Sequence, residues 1–260
     1  MADTDKPATA GGETGLVLVA RDGRACVLTL NRPDKLNALD TQSFAELDAH
    51  LAALAGESER IGCVVLRGAG RGFCAGADLN ALGVDAAGNP LDPRFKPGVI
   101  EKLNALPQPV IAAVHGICYT GGLELALACD FILAEAGARF ADTHGKWGLV
   151  GAWGMGQRLP RRIGLPAAKR MMMTARTVDA AEALAMGLVD LLAEEGGLDA
   201  LASAFAADIL ANSWHTNFAA KRLMRETDGM SLAAGLAHES YRYPGNAPDH
   251  RERIERFSRK

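Results

Sequence analysis

Residues 120–130 read Thr-Gly-Gly-Leu-Glu-Leu-Ala-Leu-Ala-Cys-Asp, which sets a single carboxylate, Glu124, in an apolar helical segment directly behind paired glycines. An unpaired carboxylate buried among such neighbours is costly enough to shift its pKa and neutralise. Glu124 therefore calls for a partner, a water or a reaction. Gly121 opens the segment, and a first-turn N–H has no acceptor within its own helix. The Gly121 N–H and the Glu124 side chain, three residues apart, can address one pocket. An anion acceptor and a base are then neighbours.

The surrounding pattern supplies elements to hold them. Residues 16–20 and 25–30 read as two strands around Arg21-Asp22-Gly23-Arg24, a hairpin. Asp40 offers an N-cap to a helix carrying Phe44, Leu47, Leu51 and Leu54 on one face. A buried strand at 63–67 runs into the glycine-rich Gly68-Ala69-Gly70-Arg71-Gly72, and Pro90, Pro93 and Pro97 predict a loop after it. Residues 110–114 read as a strand, 121–130 as a helix and 131–134 as a strand, a spacing that suggests parallel crossovers. From 167 onward the pattern is mainly helical, with helices expected at 167–174, 180–186 and 198–211 and a charged tail at 251–256.

Composition narrows the partners. The 260 residues, 48% hydrophobic, suffice for a large core, and a net charge of −3 with dispersed basic residues gives no electrostatic case for nucleic acid. Cys26, Cys63, Cys74, Cys118 and Cys129 are odd in number and sit mostly in apolar runs, which favours reduced thiols and a cytoplasmic protein. With no Cys-x-x-Cys pair and no zinc-ligand spacing, no metal is expected. The apolar runs are too short to span a bilayer, so no membrane partner is expected. Residues 1–12 lack the apolar stretch of a signal peptide, and residues 1–13 are expected to form a disordered tail.

Three segments together resemble the enoyl-CoA hydratase/isomerase, or crotonase, superfamily over roughly residues 14–260: Leu30-Asn31-Arg32-Pro33-Asp34-Lys35-Leu36-Asn37-Ala38-Leu39, Gly72-Phe73-Cys74-Ala75-Gly76-Ala77-Asp78-Leu79, and His115-Gly116 through Asp130. The resemblance implies an α/β fold, a crotonase-like spiral of ββα turns with a helical C-terminal region. It implies an acyl-CoA-binding core at 14–200, helices at 201–260 that serve oligomerisation, and a homotrimer or a dimer of trimers. It also implies that the backbone N–H groups of Ala77 and Gly121 hold the thioester oxygen, with Ala75, Gly76, Asp78 and Gly122 around them. Preorganised donors of this kind stabilise the enolate that forms when a thioester is attacked or deprotonated at its α-carbon.

Glu124 matches one of the two glutamates with which typical hydratases of that family activate water. Aligned without gaps from Phe140-Ala141-Asp142-Thr143, the second position is His144. A hydrogen-bonded structural histidine explains this position as well as a catalytic one; as a catalyst, an imidazolium there can protonate the α-carbon while Glu124 activates water, and Asp142 can orient the ring where an extended segment puts both side chains on one face. Trp147, Leu149 and Trp153 are candidates for the acyl pocket, and core packing explains them equally well. Lys35 and Arg32 are candidates for coenzyme A phosphates, Lys35 and Arg32 being equally explicable as a solvated loop. Cys74 and Cys118 read as packing, since neither has an adjacent base in sequence.

The leading reading is a lyase that adds water reversibly to 2-enoyl-CoA thioesters, with coenzyme A entering as part of the substrate and no separate cofactor. Isomerase, thioester hydrolase and decarboxylase chemistry use the same oxyanion hole. Isomerisation is disfavoured because several family isomerases keep their lone glutamate where this chain has His144. A non-catalytic acyl-CoA binder is a second class. A nucleotide-dependent oxidoreductase is a third, because Gly70-Arg71-Gly72-Phe73-Cys74-Ala75 formally fits a dinucleotide fingerprint after a strand.

Overall fold

The computed structural model describes residues 14–84 and 88–259; the tail expected at residues 1–13 lies outside them. Strands β1 (Val17–Asp22) and β2 (Ala25–Leu30) form the expected antiparallel hairpin, turned at Gly23 with φ +55°. Helix α1 (Thr41–Ala55) starts where the Asp40 carboxylate accepts the Ser43 N–H at 2.8 Å, and it buries Phe44, Leu47, Leu51 and Leu54. Strand β3 (Cys63–Gly68) follows, then helix α2 (Phe95–Ala105). This helix corrects the loop expected from Pro90, Pro93 and Pro97. Pro97 occupies the first turn, where its missing N–H would have had no helical acceptor, and the prolines end the loop rather than extend it.

Next come β4 (Val110–Val114), β5 (Ile117–Tyr119) and α3 (Gly121–Leu127), then β6 (Phe131–Glu135), β7 (Arg139–Ala141) and the one-turn α4 (His144–Trp147). Helix α3 is shorter than the 121–130 expected. Its last turn tightens through Ala128 and Cys129 N–H bonds to carbonyls three residues back, and Asp130 turns its carboxylate to the Val110 N–H and Lys221. The chain continues through α5 (Met155–Ile163), α6 (Leu165–Thr174), β8 (Val178–Asp179), α7 (Ala180–Ala185), β9 (Leu191–Ala193), α8 (Leu198–Ala211), α9 (Trp214–Glu226), α10 (Leu232–Tyr241) and α11 (His250–Ser258).

The larger sheet has the order β1-β2-β3-β4-β6-β9, parallel throughout except for the β1–β2 hairpin. A smaller sheet has the order β5-β7-β8. Two successive ββα turns, β4-β5-α3 and β6-β7-α4, each place one strand in either sheet before a helix, and Cys74 extends the same register through a bridge to Cys118. This is the expected α/β spiral. Val64, Leu66, Val110, Ala112 and Val114 pack into the core that contains α1 to α3, whereas Cys63, Val65, Ile111, Ala113 and Leu133 pack under Leu198, Ala202 and Ala206 of α8. Burial on both faces explains why these strands read as continuous apolar runs. Residue 200 lies within α8, so the helix covering the sheet bridges the core and the C-terminal helices. Lys221 of α9 ties those helices back through the Asp130 carboxylate at 2.6 Å.

The glycine-rich segment after β3 does not open a helix. Phe73 and Cys74 donate their N–H groups to His115 and Ile117 carbonyls instead, which removes the dinucleotide reading, since a pyrophosphate cradle needs a helix start directly behind the glycines. Asn37, buried with φ +56°, holds this segment: its Nδ2 donates to the Ala69 and Gly72 carbonyls at 2.9 and 2.8 Å, and its Oδ1 accepts the Arg32 N–H at 2.9 Å. We expect Asn37→Ala to lower the unfolding free energy by about 2–4 kcal/mol, because it strands buried partners and puts alanine in the left-handed region. Urea denaturation checks this, and a change below about 1 kcal/mol would mean the segment holds its shape without the amide.

Candidate active site

Glu124 is 1% exposed, and the structure answers the question its burial poses. Its Oε1 accepts the backbone N–H groups of Trp153 at 2.8 Å and Met155 at 3.0 Å. Gly154, at φ +114°, bends the chain between these two donors so that both face one oxygen. Gly151 is equally constrained, because a Cβ there would lie 3.2 Å from Oε1 and 3.0 Å from the His144 ring. Oε2 remains and faces His144 Nε2 at 3.8 Å. Burial raises the Glu124 pKa above the ordinary carboxylate value; the Met155 and Trp153 N–H groups and His144 oppose the rise, and Asp142 adds to it.

His144 and Asp142 do meet, but not by strand alternation. Strand β7 ends at Ala141 and the chain turns, so that Asp142 Oδ1 accepts both the His144 backbone N–H at 3.1 Å and the ring Nδ1–H at 2.6 Å. A carboxylate on Nδ1 fixes the tautomer and leaves Nε2 for Glu124 and whatever lies between them. Burial works against the imidazolium, yet the hydrogen bond and charge of Asp142, with the charge of Glu124, outweigh it and raise the His144 pKa. Asp142 and Glu124 thus each shift the imidazole toward its protonated form.

The backbone donors lie beside this triad. A parallel bridge pairs Ala77 with Leu39 through the Gly76 carbonyl and the Asp78 N–H, so the Ala77 N–H points to the other side, and a Cβ on Gly121 would lie 3.2 Å from it. Neither the Ala77 nor the Gly121 N–H has an acceptor among the described residues. A Cβ on Gly76 would in turn stand 3.1 Å from the Gly121 nitrogen, and one on Gly122 would collide with the Cys74 carbonyl. The three glycines let two chain segments approach closely enough for both N–H groups to address one oxygen. Loss of one such donor typically costs about 3–4 kcal/mol of transition-state stabilisation.

A cavity of about 170 Å³ joins Ala77, Gly121, Glu124, His144 and the Trp153 ring, and an adjoining one of about 390 Å³ runs past Ala75, Ala77, His144 and Trp147. Both tryptophans expected at the pocket line it, Trp153 edge-on to Phe44 at 4.9 Å and Trp147 61% exposed at the rim. Lys35 lies exposed on the turn at Pro33–Lys35, which hydrogen-bonds to Ala75 through the Leu36 carbonyl. Asp78 takes a supporting position: Arg32 reaches it at 3.0 Å and Asp40 at 3.3 Å, which commits Arg32 to the same cluster. Cys74 and Cys118 are fully buried, and burial pushes the Cys74 thiol up to about 12, so neither is a thiolate nucleophile at neutral pH. Sequence reasoning missed the carboxylate's anchors, the Trp153 and Met155 N–H groups, and Arg158, whose guanidinium holds the Trp153 carbonyl at 2.8 Å. The glycines at 151 and 154 were the available signal.

The enoyl-CoA hydratase/isomerase family pattern matches residues 21–259. The chain belongs to that family. Within it, a short-chain enoyl-CoA hydratase of Clostridium acetobutylicum is 33% identical over 234 residues, 88% of each chain. A 1,2-epoxyphenylacetyl-CoA isomerase of Escherichia coli is 31% identical over 237 residues, 88% of this chain and 90% of the other. The crystal structure of an enoyl-CoA hydratase from Bacillus anthracis superposes with a TM-score of 0.87 at 32% identity, covering 94% of this chain and 96% of that one. Membership of the enoyl-CoA hydratase/isomerase family accounts for the spiral of ββα turns.

Because the Glu124 and His144 pKa values are both raised, activity should follow a bell in pH, with an acid limb above the ordinary glutamate range and a basic limb above pH 6.5. Asp142→Asn removes the charge that supports the imidazolium, so the basic limb should move to lower pH; a pH series of kcat/KM in which that limb stays fixed would remove Asp142 from the site's electrostatics.

Proposed function

We propose that this protein is an enoyl-CoA hydratase in which His144 replaces the second glutamate as the proton donor. The carrying observation is the Asp142–His144–Glu124 line, with Nδ1 held at 2.6 Å and Nε2 facing the free carboxylate oxygen at 3.8 Å. In the hydration direction the thioester oxygen sits on the Ala77 and Gly121 N–H groups, and Glu124 Oε2 accepts a proton from water as the water oxygen attacks Cβ. Electron density moves to the thioester oxygen, where the two N–H groups stabilise it. His144 Nε2–H then protonates Cα. Glu124 is left protonated and His144 neutral, and the return of the proton from Oε2 to Nε2 restores both.

This chemistry draws only on proton transfer and backbone donors, and coenzyme A enters with the substrate. Lys35, exposed on the turn that bonds to Ala75, is our candidate for a coenzyme A phosphate, with Ala75 lining the larger cavity and Gly76 and Gly122 allowing the chain segments beside it to approach closely. Five buried unpaired thiols favour a reducing, cytoplasmic setting, and none of the described helices is long and apolar enough to cross a membrane. For the assembly we infer a homotrimer or a dimer of trimers. Leu232, Leu236, Tyr241, Ile254 and Phe257 of α10 and α11 expose large apolar surface that subunit contact would cover. Light scattering should return three or six times the chain mass, and a monomeric mass would end that inference.

Hydration of crotonyl-CoA, followed by loss of the enoyl absorbance, tests the activity. Glu124→Gln should lower kcat by about 10²–10⁴-fold with acyl-CoA affinity nearly unchanged. His144→Ala and His144→Glu should both be strongly impaired if histidine is the working acid; a large gain in His144→Glu would instead show that the natural protein is not primarily a hydratase. Tight acyl-CoA binding with no turnover of any enoyl-CoA length would identify a binder.

A further inference from the structure

Thr120 stands directly before the helix that carries Gly121 and Glu124, and its backbone is at φ +51° and ψ −111°. A β-branched residue in that region is an outlier held there by its surroundings. Threonine at an N-cap position ordinarily turns its hydroxyl onto an N–H of the first helical turn, but this one makes no such bond. Its hydroxyl lies 2.5 Å from the Thr143 hydroxyl and accepts the Thr143 N–H at 3.2 Å. The Thr120 N–H donates to the Ala141 carbonyl at 2.8 Å. Thr120 is thus bonded to the turn that presents Asp142 and His144. On its other side, a Cβ placed on Gly76 would lie 3.3 Å from the Thr120 Cβ, so the residue also abuts the segment that delivers the Ala77 N–H.

One residue therefore touches three parts that must be mutually aligned: the Gly121 donor through its own peptide, the Ala77 donor through packing against Gly76, and the His144 turn through its hydroxyl. Each part belongs to a different turn of the spiral and lies just beyond the layer in which Cys74, Cys118 and Phe140 pair, so the side-chain tie acts after the last backbone register between the turns. A hydroxyl spent on a cap would satisfy a first-turn N–H and leave the His144 turn without this tie. The strained conformation directs it across instead.

We propose that Thr120 is a positioning residue that sets the oxyanion hole against the His144 turn through its hydroxyl bond to Thr143. The proposal rests on the hydratase reading for its rate consequence, but its geometric claim stands apart from that reaction. A misplacement of about 1 Å between donors and acid is worth about 10²-fold in rate.

The test compares Thr120→Val, which keeps the shape and loses the hydroxyl, with Thr120→Ser, which keeps the hydroxyl, and with Thr143→Val. With crotonyl-CoA, Thr120→Val should lower kcat about 10–100-fold with KM within about threefold, and Thr120→Ser should stay within about threefold of wild type in both. Thr143→Val breaks the hydroxyl–hydroxyl bond but leaves the Thr143 N–H on the Thr120 hydroxyl, so its loss should be no larger than that of Thr120→Val, and the double variant should be no worse than Thr120→Val. A conjugated aryl-enoyl thioester of coenzyme A supplies a readout free of turnover: its absorbance shifts to longer wavelength when two N–H groups polarise the carbonyl, and Thr120→Val should lose half or more of that shift. Thr120→Gly separates fold from alignment, because glycine relieves the backbone while removing the hydroxyl; it should melt no lower than wild type yet lose activity as Thr120→Val does. The proposal is overturned if Thr120→Val keeps wild-type kcat and shift, or if additive losses in the double variant track melting temperature with the shift intact. A wild-type protein that shifts the probe but hydrates no enoyl-CoA would sink the hydratase reading alone, and the probe series would still decide the role of Thr120.

Discussion

A carboxylate with 1% exposure in an apolar helix has to be solvated by the protein, and the way Glu124 is solvated governs how the rest of the site is laid out. Two backbone N–H groups, from Trp153 and Met155, take one oxygen. Backbone donors are fixed by the chain path, so they hold the group without competing for its proton, and only the second oxygen is left to titrate and react. That division requires the segment between α4 and α5 to fold directly over α3, which in turn requires Gly151 and Gly154 where side chains or ordinary φ values would block the approach. The histidine follows from the same constraint. With one oxygen committed, the other faces the His144 ring, an imidazole that stands between Asp142 and Glu124 and belongs to the side-chain type able to exchange protons near neutrality.

The two sheets supply the distances. The larger sheet ends its strands where β4 and β6 give way to β5 and β7, and the short second sheet stacks those turns so that residues 74, 118 and 140 run side by side. Ala77, Gly121 and His144 each come a few residues after that layer, one per turn of the spiral. Chain segments far apart in sequence are thereby delivered to one cavity by repetition of a single local motif.

Much of this was legible beforehand because the relevant signals are local. The hairpin, the Asp40 cap, the buried strands and the glycines before Glu124 each rest on residues within a few positions of one another. The parallel order followed from the strand–helix–strand spacing. What escaped was contact between segments. Helix α2 was obscured by Pro97, because a proline count does not say whether the ring falls before a helix or in its first turn. The Asp142–His144 contact was expected through extended alternation and is made through a turn, a difference that depends on where β7 loses its partner. The anchors of Glu124 are main-chain atoms, which leave no mark in residue type except at the glycines that allow them. The link from Thr120 to the His144 turn rests on its dihedral angles and its bond to Thr143, which residue type alone does not reveal.

Residue 153 divides its duties between atoms. Its N–H fixes the base and its carbonyl is held by Arg158, while its indole walls the cavity. The parts that hold the carboxylate in place are common to all amino acids except proline, and the part that walls the cavity is set by residue type alone. Substitution at this position can therefore reshape the cavity without removing the N–H that holds the carboxylate beside it, so the architecture lets the outline of the space drift while the support of the buried charge stays put.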